Sequence, residues 1–224
     1  RVKVGLAALL SFNLAPLVDV PSLAHSNAYQ ILILVLMQTL IGVLMGLTMR
    51  MVFAAVQTAG EFIGLQMGLS FASFFDPATG ANTAVLARLL NIVAMLLFIN
   101  VDGHLLLLDV FYYSFEVLPI TTQPLSASGI GVFLEWSSHI WFSGLLLALP
   151  LIIVLLTINL SFGILNRTAQ QLTVFAVGFP ITLTVGFILL LLVIPYTAPF
   201  LTDLFEQGIQ VLRTLLWSLA RPTP

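Results

Sequence analysis

An all-α fold of kinked, membrane-type helices is predicted by three observations. Hydrophobic residues fill 60% of the 224 positions and charged residues 7%, with a mean hydropathy of +1.13; an ordinary soluble domain carries about 25% charged residues. Seven basic and nine acidic side chains cannot give so long a chain a water-compatible surface. The protein therefore belongs in or against a membrane, or inside a large hydrophobic assembly. Uncharged runs beyond the ~20 residues that a helix needs to cross hydrocarbon recur along the chain. Finally, Gly60, Gly64 and Gly68, with Ala72 one turn further on, form a small-xxx-small ladder. That spacing strips one helix face of side chains and lets another backbone approach closely.

The first element is a short apolar segment, residues 4–18, behind Arg1 and Lys3. Residues 20–49 are uncharged and open with a polar turn, Pro21-Ser22-Leu23-Ala24-His25-Ser26-Asn27. The helix expected from about Tyr29 continues past Arg50 into the glycine ladder, until Asp76-Pro77-Ala78-Thr79-Gly80-Ala81-Asn82 breaks it with turn-forming residues. Apolar runs at 86–101 and 104–118 follow, split by Asn100-Val101-Asp102-Gly103-His104. A polar break over residues 119–131 is the best internal boundary, and it separates parts 1–120 and 132–224.

Beyond that break lie the longest uncharged runs, 136–166 and 168–202, separated only by Arg167. Asn166-Arg167-Thr168-Ala169-Gln170-Gln171 reads as the tip of a helical hairpin, which the positive-inside rule places in the cytoplasm. A last amphipathic segment, 203–221, has acids at its start and basic residues at its end, as a helix macrodipole favours. Pro150, Pro180, Pro195 and Pro199 interrupt the long runs. Proline removes a helical hydrogen bond, and in lipid the freed carbonyl needs a partner from protein or trapped water. The runs amount to seven or eight helices in extensive contact with others.

Few classes of chemistry survive this composition. No basic stripe exists to neutralise phosphates, which argues against a nucleic-acid partner. Zero cysteines exclude disulfides, thiol nucleophiles and cysteine-ligated metals. His25, His104 and His139 lack metal-ligand spacing, so neither a metal nor a cofactor is expected. Gly68-Leu69-Ser70 with His104 is the nearest thing to a serine hydrolase, but neither a base in reach nor an oxyanion hole can be read; packing is the better account. Asp102 and Asp109 read as a solvated turn acid and a helix cap. The sequence is thus read as non-enzymatic. It begins at Arg1 rather than Met, so upstream residues are expected to be missing and no signal peptide can be read.

Polar residues on the glycine-faced helix invite a sharper reading. A carboxylate is costly against lipid, so Glu61 is expected to face protein or a water-filled cavity, with Gln66 nearby. Arg50 and Glu61 are eleven residues apart, about 16 Å of helix rise, too far for a direct pair. Ion-coupled transport of a small solute is one reading; polar glue between subunits is the other, and the one favoured. The acids a transporter needs are missing from the longest runs, and no inverted repeat is evident. The junction Phe71-Ala72-Ser73-Phe74-Phe75-Asp76-Pro77-Ala78-Thr79-Gly80-Ala81-Asn82 runs bulky aromatics into small turn residues. It is either an occluding loop over a cavity or an ordinary interface turn.

Ala59-Gly60-Glu61-Phe62-Ile63-Gly64-Leu65-Gln66-Met67-Gly68-Leu69-Ser70-Phe71, running on into Asp76-Pro77, resembles the FliR family, the R subunit of the flagellar type III export gate. Its counterpart in virulence secretion is the T subunit. Val85-Leu86-Ala87-Arg88, Ala148-Leu149-Pro150, Asn159-Leu160, Leu165-Asn166-Arg167 and Leu183-Thr184-Val185-Gly186 extend the likeness along nearly the whole chain. Family members usually begin with one more apolar helix, and many carry proline where this tip has Gln170. The resemblance implies a subunit of a helically arranged gate with P- and Q-type subunits, in the bacterial inner membrane within the flagellar basal body. It implies a P-subunit-like part over 1–120 and a Q-subunit-like hairpin with a C-terminal helix over 132–224. Phe74, Phe75, Asp76, Pro77, Ala78, Thr79, Gly80, Ala81 and Asn82 would form the pore-closing loop. Arg50, Glu61, Gln66 and Arg167 would be polar groups at subunit interfaces. Unfolded exported proteins would pass through, with A- and B-type export components as further partners.

Overall fold

The uncharged runs fold as helices that continue through most of their interruptions. The structure, a computed structural model, describes residues 2–16, 27–69, 85–120, 125–168 and 174–220. Six helices occur among the described residues: α1 (Val2–Leu14), α2 (Ala28–Gln66), α3 (Val85–Asn100), α4 (Gly103–Val117), α5 (Ser128–Thr168) and α6 (Val174–Ala220). Helix α2 passes Arg50 unbroken. Pro150 lies inside α5, and Pro180, Pro195 and Pro199 lie inside α6. The amphipathic segment after Thr202 is therefore the end of α6 and not a separate helix. One proline deletes one hydrogen bond, and in apolar surroundings no water competes for the rest of the ladder.

The break between α3 and α4 is sharper. Asp102 adopts a left-handed backbone (φ 56°, ψ 24°), which a short polar side chain tolerates better than most. Its carbonyl starts α4 by accepting from the Leu105 amide at 2.9 Å, while its carboxylate makes no capping bond to that helix. Together α3 and α4 form a bent helix pair.

The chain divides into two compact units, each assembled from separated stretches. One unit comprises residues 1–49, 102–136 and 207–224. Its core includes Leu44, Met45, Val110, Trp136, Leu212 and Leu216. The indole N–H of Trp136 donates to the Thr48 carbonyl at 3.3 Å. At the end of α6, the Ser218 carbonyl accepts from the Ser128 hydroxyl at 2.9 Å, and the Leu219 carbonyl from the Ser126 amide at 3.0 Å. Arg213 pairs with Asp109 at 2.9 Å, joining α6 to α4. Asp109, read from sequence as a cap or turn acid, thus belongs to a tertiary ion pair.

The second unit comprises residues 50–101 and 137–206. Val52, Ala55, Val56 and Ala59 of α2, Ala87 and Ala94 of α3, and Ala148 and Leu155 of α5 are almost wholly buried there. Phe53, Phe98 and Phe205 form an aromatic cluster with ring centroids 5.1–5.7 Å apart. Offset and edge-on arrangements at this separation suit the ring quadrupoles.

Polar side chains are largely satisfied by their own helices. Thr39, Thr48, Thr58, Thr157, Thr184 and Thr214 each donate to the carbonyl four residues back, at 2.7–3.0 Å. Such a bond hides a hydroxyl where water is scarce. Apolar faces, by contrast, remain open. In the most apolar stretches of α2, α5 and α6 only 22%, 17% and 22% of residues are buried within the chain. Each of these helices is long and apolar enough to cross a membrane.

Candidate functional site

The second unit gathers the glycine-faced end of α2 and the helices it touches. Small residues are what make this possible. A methyl group added at Gly60 would overlap the backbone of Ala87, with the Ala87 nitrogen only 2.8 Å away. At Gly144 it would meet the Ala55 carbonyl oxygen at 2.7 Å. Helices α3 and α5 therefore both approach the α2 backbone at glycine, as small-residue contacts between apolar helices do. Gly144 lies on the buried stripe of α5, which continues through Ala148, Leu151 and Leu155 at helical spacing.

Gly64 and Gly68 do something else. Among the described residues, a methyl at Gly64 would have only the Leu69 side chain within 4 Å, at 3.9 Å. Gly68 lies beyond the last residue of α2, with φ of 80°. The Gly68 amide donates to the Leu65 carbonyl at 3.1 Å, and the Leu69 amide to the Gly64 carbonyl at 3.0 Å. These two bonds around a left-handed glycine define a Schellman cap. The ladder thus changes role at its third rung: Gly68 stops the helix and is not part of a packing face. Ala72 lies outside the described residues, as does Ser70.

The four terminal carbonyls of α2 are all engaged. Besides the two cap bonds, Ile63 accepts from the Met67 amide at 2.9 Å and Gln66 from the side-chain amide of Asn159 at 3.2 Å. Asn159 belongs to α5, 93 residues away in sequence. Met67 itself is fully buried, and its thioether fills the space at Gly186 of α6: a methyl there would lie 2.7–2.9 Å from Met67 side-chain atoms. Helices α5 and α6 thereby hold the point where the chain leaves α2.

The expected polar groups are distributed along this region. Glu61 is exposed and accepts from Gln57 at 3.1 Å. Arg50 is exposed, and among the described residues neither it nor Glu61 has an ion-pair partner. Gln66 is half-buried and closes α2. Arg167 is exposed in the last turn of α5, where a cation suits the helix dipole. Phe74, Phe75, Asp76, Pro77, Ala78, Thr79, Gly80, Ala81 and Asn82 lie outside the described residues. Among the described residues no group of three or more acidic or histidine side chains is placed to share a metal ion.

Asn159, Gly144 and Gly186 carry the tertiary geometry, and local pattern marks only Gly144 among them. Gly144-xxx-Ala148 is a small-xxx-small pair and was open to detection. For Asn159 the only signal is an amide in the middle of an otherwise apolar run.

These features define a class: a many-helix membrane protein with close packing at glycine and broad apolar faces left open among the described residues. Comparison with known proteins narrows it. The family model for bacterial export proteins, family 1, matches residues 1–208. The flagellar biosynthetic protein FliR of Escherichia coli (strain K12) is 46% identical over 98% of this chain and 84% of its own length. FliR of Pectobacterium carotovorum subsp. carotovorum is likewise 46% identical, with the same coverage. FliR of Bacillus subtilis (strain 168) is 32% identical over 96% of this chain and 83% of its own length. The chain belongs to the FliR family of bacterial export proteins.

Proposed function

We propose that this chain is a non-enzymatic core subunit of a flagellar type III protein-export gate, helping to form and close the channel through which unfolded substrates leave. One observation carries the reading beyond family membership. Helices α2, α5 and α6 have 39, 41 and 47 residues, a contour of roughly 60–70 Å each, against a hydrocarbon core of about 30 Å. In the most apolar stretch of each, only 17–22% of residues are buried among the described residues. Lipid tails reach only part of each helix's length, which supports sister subunits as the cover of the rest. P- and Q-type subunits are the proposed cover, with A- and B-type export components and the substrates as further partners. The setting is the bacterial inner membrane, within the basal body. Residues 1–120 take the P-like role and 132–224 the Q-like role; both parts contribute to each compact unit.

Purification in mild detergent followed by native mass spectrometry tests the assembly. Co-purifying P- and Q-type proteins are expected, and a lone monomer overturns the reading. The segment from Phe74 to Asn82 is proposed as the pore-closing loop. Deleting residues 76–82 is expected to leave the gate assembled and leaking small ions; unchanged permeability in the assembled variant removes the plug role. Family membership leaves the small-solute transporter without support.

A further inference from the structure

We propose that the exposed face of α2 from Arg50 to Glu61 docks one helix of a different subunit, which sets a carboxylate opposite Arg50 and a basic side chain opposite Glu61. This rests on the reading of the chain as a gate subunit, and it adds the chemistry of the partner. At ~100° per residue, Arg50, Gln57 and Glu61 lie within about 40° of one another around the helix axis. All three are exposed, on the side opposite the buried line of Val52, Ala55, Ala59 and Ile63. Among the described residues Arg50 has no ion-pair partner, and Glu61 has only the Gln57 side-chain amide at 3.1 Å, which leaves its charge unbalanced. The surroundings are not those of a solvated face. Met51, Ala54 and Phe62 are half-exposed beside these charges and Leu65 is exposed a turn further on, so each charge stands alone among apolar side chains. Ala54, between the two charges, leaves room for a neighbouring helix to approach closely.

Two other occupants fail on geometry. Lipid headgroups form a layer only about 5–8 Å deep on each side of the hydrocarbon. Arg50 and Glu61 are separated by about 16 Å of rise, and at the steepest usual tilt, about 40°, their levels still differ by about 12 Å. One headgroup layer therefore cannot serve both. A symmetric pair with a second copy fails for another reason. Copies inserted in the same sense have parallel α2 helices, so Arg50 would meet Arg50 and Glu61 would meet Glu61, and like charges across an interface repel. A different helix with an acid and a base about eleven residues apart answers both charges at once, running in either direction.

The test uses the full chain, purified alone and co-expressed with the other gate subunits. The chain has no cysteine, so Ala54→Cys supplies a single thiol between the two charges. Its reaction with a maleimide is expected to slow about tenfold or more on assembly, because a packed interface excludes water. Arg50→Glu and Glu61→Lys are expected to weaken assembly about thirtyfold or more, the factor for losing one partner of an interfacial charge pair, while the purified chain melts like the parent. Arg50→Lys keeps the charge and should assemble better than Arg50→Glu. Restored assembly is then selected in the co-expressed subunits. An acid-to-base change should rescue Arg50→Glu and a base-to-acid change should rescue Glu61→Lys, both on one helix of one other subunit and about eleven residues apart. Parental assembly of both reversal variants overturns the proposal, as does a thiol that reacts equally fast in chain and complex, the result a solvated face gives. Should the reversal variants melt lower as purified chains, the thiol rates decide alone. If the natural chain forms no complex, the gate reading falls and the proposal with it; a complex with an open thiol removes the proposal only.

Discussion

Helix α2 carries the same spacing twice, with opposite outcomes. At Gly42 and Gly46 an added methyl would find nothing within 4 Å, and both residues are exposed. At Gly60 it would strike the Ala87 backbone. Two glycines four apart thus mark a face that accepts a neighbour without saying whether that neighbour is in the same chain. The packed instance has a reason within the chain: α3 returns alongside α2, and alanines at 87 and 94 leave room for close contact. The open instance has no counterpart among the described residues.

Substitutions can break or sharpen this contrast, beginning with the largest effect. Gly60→Leu drives a branched side chain into backbone that cannot retreat, and overpacking of this kind costs about 1–3 kcal/mol or more. Loss of folded protein in detergent, followed by thermal unfolding, is the expected result; a normal melting point would show that α3 is free to move away. Gly64→Leu should mainly lower the yield of the assembled gate, because among the described residues only the Leu69 side chain comes within 4 Å of a methyl added there. Recovery of full complex in ordinary yield would count against a partner there. Gly42→Ala should raise helix stability by up to about 1 kcal/mol, visible as a slightly higher melting temperature of the purified chain. A lower one would mean that the face is already occupied within the chain. Arg213→Ala should matter least. With 52% and 61% of the two side chains exposed, the pair with Asp109 is worth roughly 0.2–1 kcal/mol, and less at high salt.

Much of this architecture is legible in the order of residues alone. The passage of α2 through Arg50 follows from an uninterrupted apolar run, and the break at Asn100-Val101-Asp102-Gly103 from turn chemistry. The amphipathic end of α6 appears as buried Leu204, Leu212, Leu215 and Leu219 beside exposed Glu206 and Arg213. What stays hidden needs knowledge of which helix lies opposite which. Prolines 180, 195 and 199 look like stops because their penalty is judged against water, whereas α6 runs through apolar surroundings. Gly68 looks like a packing rung because spacing alone cannot reveal a left-handed backbone. Asn159 and Arg213 find their partners 93 and 104 residues away, a distance at which local pattern carries no information.

The threonines that turn their hydroxyls back onto their own helices have a further consequence. A newly made copy presents an oily exterior with few unmet polar handles, so it can dissolve in a bilayer and wait there intact. Rare exposed charges such as Arg50 and Glu61 are then the costliest points of that exterior to leave against hydrocarbon.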